Sequence, residues 1–399
     1  MTTLPVNPSA RQLADTRAGE ILGPDDYARF HERAARYDRD NAFFADDFAD
    51  LRAAGYLKIA LPRALGGAGL TLAQVAREQR RLAYWAPATA LALTMHHYWI
   101  GPAVQLREQG DDSVAWLLDA VAGGAVLAAG HGERGNDAGL DDSVVRAVPR
   151  PGGGYVFTGR KTFTSLSPVW TKLGVHGRDD SDPDRPRIVH AFVDRDAAGV
   201  ATEQVWDALG VRATGSDDTV LDGVAVPADQ VLAVIPIGHP YPPYINGILR
   251  WYLPLVANVY YGIARRALDL AVASSRERRS LALDGRPNAE KGSVQRWVAQ
   301  AEIQLDAAWS LLEKTVADLD EGVDHGSWWT SRLFATKEFT VSSARGVVDI
   351  AVQVVGASSV SRRNELERLY RDVRTGPLHP PNTDAVLDVV GRTSLGLIP

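Results

Sequence analysis

No cysteine occurs among the 399 residues. That absence removes disulfides, thiolate nucleophiles and cysteine-ligated metals from consideration. Nor is there an uninterrupted apolar run of the roughly 18 residues that a membrane span needs. The opening stretch MTTLPVNPSARQLADTRAGE lacks the apolar core of a signal peptide. Excess positive charge is missing too: the formal net charge is -6, which gives no electrostatic case for nucleic acid or an anionic membrane as partner. Internal repeats, low-complexity segments and clusters of His, Asp and Glu at metal-ligand spacing are also lacking, so no metal is expected. Cytoplasmic location is the expectation.

What remains is the composition of a folded chain, 45% apolar and 23% charged, long enough for two or three domains. Ten tryptophans and twelve tyrosines are many; they suit a flat aromatic ligand or ordinary core packing. The first 120 or so residues read as helical. GPDDYARFHERAARYD opens with Pro24 and two acids, as helix starts prefer. TLAQVAREQRRLAYWA and DSVAWLLDAVAGG continue in that style, around a turn-rich LPRALGGAGL. Near Gly124 the texture changes. Short apolar runs (AVLAAGH, SVVRAV, GYVFTGR, RIVHAFVD, DTVLDGVAVP) alternate with Gly, Pro and Asp, which predicts a β-domain ending near Val231. GRDDSDPDRPR reads as an exposed loop. From about Ile248 the period is helical again. Val298, Ala301, Leu305, Ala308 and Leu312 keep 3–4 spacing, as do Val341, Ala344, Val348, Ala351 and Val355, so these helices belong in a bundle. The expected boundaries are 1–123, 124–233 and 234–399.

Five motifs on this background, in this order, resemble the acyl-CoA dehydrogenase superfamily: LPRALGGAGLT, TGRKTFTSLS, WDALGVRATGSDDTVLDGVAVPADQVL, SRERRSLALDGRPNAEKGSVQ and VQVVGASSVSRRNELERLYRDVR. The resemblance covers nearly the whole chain. It implies an α+β multidomain subunit: an N-terminal helical domain, a middle β-domain of barrel or sandwich type, and a C-terminal four-helix bundle. It further implies non-covalent FAD (with FMN as the other flavin), a homo-oligomer, tetramer or dimer, and a small-molecule or thioester-tethered substrate. The superfamily holds dehydrogenases, oxidases and monooxygenases, so fold alone leaves the reaction open.

Site residues follow from the same resemblance. Phe163 stands where an aromatic ring lies against the flavin, with Thr164 beside it and Ser165 where a hydroxyl approaches the flavin's N5 edge. Gly135 and Asn136, in HGERGNDAG, take the place of the pyrophosphate loop, a natural anion cradle. Arg278 would bring a guanidinium fork to the pyrophosphate of a neighbouring subunit. Gln353 and Gly356 would touch the same cofactor from the adjacent subunit, and Asn382 stands where a threonine helps hold FAD.

The expected general base is missing. A carbon-bound proton next to a thioester needs a carboxylate within reach. One family position for that glutamate falls on Pro380. The other lies within residues 245–266, INGILRWYLPLVANVYYGIARR, which hold no acid but offer Arg250, Trp251 and Tyr252 as pocket candidates. His379, stiffened by Pro377, Pro380 and Pro381, resembles a histidine beside the flavin in the superfamily's monooxygenase branch and is the candidate catalytic group, with Ser165. His96 and His97 are further pocket candidates; adjacent helical residues diverge by about 100°, so at most one faces a cavity. The favoured expectation is a flavin-dependent monooxygenase or oxidase. It would be fed by a separate flavin reductase or electron-transfer partner, since no nicotinamide fingerprint is present. The alternatives are an α,β-dehydrogenase with a relocated base and a catalytically silent flavin- or acyl-binding homologue.

Overall fold

The computed structural model describes residues 21–398. The N-terminal stretch read above for a signal peptide, residues 1–20, lies outside the described residues. Helices come first. α1 (Pro24–Asp40) starts as its residues dictate, with proline in the first turn and the Asp26 carboxylate accepting the Gly23 N–H at 2.8 Å. After α2 (Ala45–Ala53), α3 (Leu72–Trp85) begins at a Thr71–Gln74 capping box. α4 (Pro87–Glu108) is buried along most of its length and is followed by α5 (Ala115–Ala122).

An eight-stranded sheet follows. Its strands are β1 (Leu127–Gly130), β2 (Arg146–Pro149), β3 (Tyr155–Thr164), β4 (Lys172–Asp179), β5 (Arg187–Asp194), β6 (Val200–Glu203), β7 (Asp217–Val226) and β8 (Val231–Pro236). Their order is β6-β7-β3-β2-β4-β5-β8, with β1 also on β4. β4 pairs parallel with β1 and β2 and antiparallel with β5. Three of these strands, β4, β6 and β8, were not among the runs singled out from the sequence. β4 holds the sheet's middle, yet its segment KLGVHGRD carries two glycines. Both have a packing reason: a Cβ on Gly174 would sit 2.2 Å from the Trp99 ring, and one on Gly177 2.9 Å from the Phe157 ring. Glycine here admits large aromatic neighbours and is not a turn signal.

The C-terminal region is helical: α6 (Pro243–Glu277), α7 (Gly292–Asp320), α8 (Trp328–Val355), α9 (Glu365–Val373) and α10 (Thr383–Ser394). α6 packs on α8, α7, α3 and α4. Ala301, Leu305, Ala308 and Leu312 of α7, and Val341, Ala344, Val348, Ala351 and Val355 of α8, are buried as their spacing predicts; Val298 is partly buried. The crossing of α4 and α6 is tight: a Cβ on Gly101 would lie 2.0 Å from the Trp251 indole. One buried apolar cluster runs from Leu22 to Val373 through helices and sheet alike, so the candidate residues from all three regions are set against a common core. Among the described residues, no helix is long and apolar enough to cross a membrane.

Candidate functional site

Phe163 sits at a break in β3. The β3–β7 register shifts between Lys161 and Thr164, and Phe163 takes a φ of 57°. A bulky residue in that left-handed region costs about 1–3 kcal/mol. The bulge turns the phenyl ring out of the core, 69% exposed, with only the edge of Trp206 nearby. It also turns Thr164 and Ser165 inward. Thr164 is buried and accepts from Thr219 at 3.2 Å. Ser165 Oγ lies 2.8 Å from Ser216 Oγ, which lies 2.7 Å from Thr214 Oγ1.

Behind Phe163 is a buried ion pair that the sequence reading did not single out. Lys161 Nζ contacts Glu133, and both side chains are fully enclosed. Glu133 also accepts from Ser143 Oγ (2.5 Å), Val144 N (2.9 Å) and Asn136 Nδ2 (2.9 Å). Burial works against the carboxylate, but Lys161 and these donors more than offset it and hold its pKa low. Burial pushes Lys161 down to about 8, against the pull of Glu133; the pair is charged at neutral pH. Asn136 serves the loop itself: its amide also donates to Gly139 O and Asp142 O and accepts from Ala138 N. The loop can therefore offer a ligand backbone groups around Gly135, but the Asn136 side chain is taken.

The bundle side centres on His379. Its Nε2 lies 2.7 Å from Tyr260 Oη of α6. Tyr260 Oη lies 2.7 Å from Thr375 Oγ1, which donates to Asp372 O at 2.8 Å. Lys337, fully buried on α8, donates to His379 O (3.1 Å) and Pro381 O (2.9 Å). Burial, with a further contribution from the Lys337 charge, pushes the His379 imidazole down to about 3, and burial pushes Lys337 down to about 8. Pro380 is exposed beside them.

The YRD segment before this loop joins the two halves. Arg371 reaches Asp38 of α1 (2.8 and 2.6 Å) and Leu209 O (2.9 Å). The buried Asp372 accepts Val211 N at 2.6 Å, and burial raises its carboxyl to about 6. Hydrogen bonds therefore run from Ser165 through Ser216 to Thr214, and on through Val211 and Asp372 to Thr375, Tyr260 and His379. This chain brings the two catalytic candidates, Ser165 and His379, into one framework.

The remaining candidates divide between pocket and frame. His96 bridges Leu57 O (2.8 Å) and Leu127 N (3.0 Å) with its two ring nitrogens and belongs to the frame. His97 is fully buried with neither nitrogen hydrogen-bonded among the described residues, its ring edge-on to Tyr56. Trp251 fills the notch at Gly101, and the Arg250 guanidinium lies over Trp329. Tyr252 is partly buried, edge-on to Tyr98. Arg278 donates to Val355 O (2.7 Å) and contacts Ser358. It thus seats its charge at the C-terminus of α8, which favours a cation, beside the exposed Gln353 and Gly356. Asn382 caps α10, accepting Ala385 N at 3.0 Å. Among the described residues, no group of three acids or histidines is placed to hold a metal.

Tyr260 and Lys337 were both detectable in the sequence. A tyrosine in the apolar run VANVYYG must find a partner for its hydroxyl when buried. Lys337 falls on the buried stripe of α8, four residues from both Leu333 and Val341, where a charge signals a specific partner.

Helices flanking a β-region, with a bulged aromatic strand and a histidine-bearing bundle loop tied into one hydrogen-bonded framework, make a flavoprotein oxidoreductase scaffold of the acyl-CoA dehydrogenase type. A family model described as the acyl-CoA dehydrogenase C-terminal domain matches residues 255–382. The chain is 32% identical over 361 residues to a putative acyl-CoA dehydrogenase, YdbM, of Bacillus subtilis, covering 90% of this chain and 91% of that one. It is 30% identical over 415 residues to the L-evernosamine nitrososynthase of a Micromonospora species, covering 98% and 92%. It superposes on a crystal structure of KijD3 in complex with FMN and an amino-deoxy-keto sugar nucleotide with a TM-score of 0.84, at 28% identity, covering 100% and 96%. The chain belongs to the acyl-CoA dehydrogenase superfamily.

Proposed function

We propose that this protein is a flavin-dependent monooxygenase acting on a small organic substrate. The observation that carries the reading is the make-up of the loop where a dehydrogenase needs its base. Pro380 occupies one position for that base, and residues 245–266 of α6 offer no acid for the other. The imidazole next door, held near 3 and bonded to a phenol, is too weak a base to take a carbon-bound proton. The nitrososynthase relative supports the reading, since a nitroso product carries an N–O bond that its amine lacks.

The residues present fit a flavin. Phe163 holds an apolar ring away from the core at a backbone cost, and a flat ring system covering it would repay that exposure. Phe163, Thr164 and Ser165 would hold the ring, and Arg278, Gln353 and Gly356 form an exposed patch suited to the phosphate of a neighbouring subunit's flavin. In such a reaction one atom of O₂ enters the substrate and the other leaves as water, with two electrons drawn from reduced flavin supplied by a separate reductase. The chain's own residues supply position and polarity. Lys337 fixes the backbone of the His379 loop, Tyr260 orients the imidazole, and the Ser165–Ser216–Thr214 hydroxyls present a polar edge.

The test is stopped-flow mixing of the flavin-loaded, prereduced protein with oxygen. A transient absorbing species distinct from oxidised and reduced flavin, formed faster than free flavin reoxidises, is expected. Anaerobic bleaching of oxidised bound flavin by acyl-CoA thioesters would overturn the reading in favour of a dehydrogenase.

A further inference from the structure

The hydrogen bonds around His379 run in one direction only. Thr375 Oγ1 has a single proton, and it goes to the Asp372 carbonyl, which can only accept. In its 2.7 Å contact with Tyr260, Thr375 must therefore be the acceptor, so the tyrosine hydroxyl is the donor. That uses the one proton of Tyr260. In the 2.7 Å contact with His379, Tyr260 must then accept, and Nε2 must carry the hydrogen. The opposite assignment would set two lone pairs against each other at hydrogen-bond distance. No described residue hydrogen-bonds Nδ1, and that atom is not sealed in the interior.

We propose that Tyr260 and Thr375 are positioning residues that lock His379 in its Nε2–H tautomer, so that the side chain meets the site through a bare Nδ1, as a hydrogen-bond acceptor. The atom of a bound molecule that sits against it is an N–H or O–H donor. This rests on reading His379 as the polar group of the site, and it sharpens that reading. A histidine in this place has two possible tautomers of opposite polarity, and nothing in the loop GPLHPPN selects between them. The selection comes from α6 and from the end of α9, 119 and 4 residues away in sequence. Lys337 completes the clamp by holding the carbonyls of His379 and Pro381, leaving the ring little freedom to turn over.

Full-length protein labelled with ¹⁵N-histidine and loaded with FMN gives the tautomer directly from two-bond ¹⁵N–¹H correlation spectra. The resonance among nine histidines is identified by its loss in His379→Gln. The wild type is expected to show a protonated Nε2 and a bare Nδ1; the reverse pattern overturns the proposal at once. Thr375→Val takes away the acceptor of Tyr260, whose hydroxyl then turns to donate to Nε2, so the proton is expected to move to Nδ1. Tyr260→Phe removes the lock and is expected to give both tautomers in exchange. An unchanged Nε2–H pattern in either variant overturns the assignment. Should either variant fail to fold, the wild-type spectrum still decides. No turnover enters the measurement, so loss of the monooxygenase reading and loss of the tautomer lock are told apart.

Discussion

Replacing Lys161 by methionine probes the buried pair behind Phe163. Its ammonium is the only cation on Glu133 among the hydrogen bonds of that carboxylate; the other donors are Ser143 Oγ, Val144 N and Asn136 Nδ2. Breaking a fully buried ion pair by removing one partner costs about 3–5 kcal/mol, because the other charge is stranded. The three neutral donors that remain place Lys161→Met at the low end, about 3 kcal/mol. Glu133→Gln takes away the counter-charge instead, leaving the ammonium with neutral acceptors, the amide oxygen and His176 Nδ1 at 3.3 Å, and is expected to cost a similar amount. The double variant removes both charges. With its oxygen on Val144 N and Asn136 Nδ2 and its NH₂ towards the Ser143 hydroxyl, the glutamine leaves no stranded charge, and the expected cost falls far short of the sum of the single changes. Urea unfolding followed by tryptophan fluorescence, with m-values held constant, reads all three. A single-variant cost below about 1 kcal/mol, or strict additivity in the double variant, refutes the stranded-charge account. Because Glu133 also holds Asn136 and the loop around Gly135, the single variants are further expected to weaken flavin binding.

Phe163→Ala is expected to leave stability within about 0.5 kcal/mol, as for other exposed sites, while weakening flavin at least tenfold in a fluorescence titration; equal flavin affinity would remove Phe163 from the site. Gly101→Ala drives a methyl into the Trp251 indole and is expected to destabilise by about 3 kcal/mol or more, read as a lowered melting temperature. Asp372 gives a pH signature. Its folded carboxyl, near 6, lies above the ordinary 3.8, so the folded state favours the protonated form. That contribution is full below about pH 4 and is lost as pH rises to about 6, a total near 3 kcal/mol at 1.36 kcal/mol per pH unit. Asp372→Asn should abolish this slope, so wild-type stability relative to the variant should fall by that amount as pH rises across the window and be flat outside it.

Much of this arrangement was readable residue by residue. The burial of α7 and α8 followed from 3–4 spacing, because one helix face meets one core. The start of α1 followed from Pro24 and its acids, and the superfamily from five ordered motifs. β4 was hidden because local patterns read Gly174 and Gly177 as breakers, whereas their reason is Trp99 and Phe157, which approach from elsewhere in the chain. His96 read as a pocket residue, yet its two partners come from Leu57 and Leu127, and only folding brings them together. Asn136 and Asn382 were read as cofactor contacts by position, while their side chains serve the nearest backbone, as asparagine often does. Arg278, read from the motifs as a phosphate ligand, donates to Val355 O at the end of α8. The Tyr260 lock was the least visible, since its members lie 115 residues apart.

The side chain of Asp372 faces the sheet region and its carbonyl faces the His379 loop. Beyond it, Leu378 and Pro380 lie exposed and the loop is pinned by its carbonyls to Lys337. Folding and chemistry are thus written on different letters of one short stretch: residues 371–372 tie the subunit together, while Leu378 and Pro380, on either side of His379, are side chains that the core does not need. A library randomised at 378 and 380 should keep nearly all its members folded while changing what surrounds the imidazole, making this loop a natural place for the scaffold to change trade.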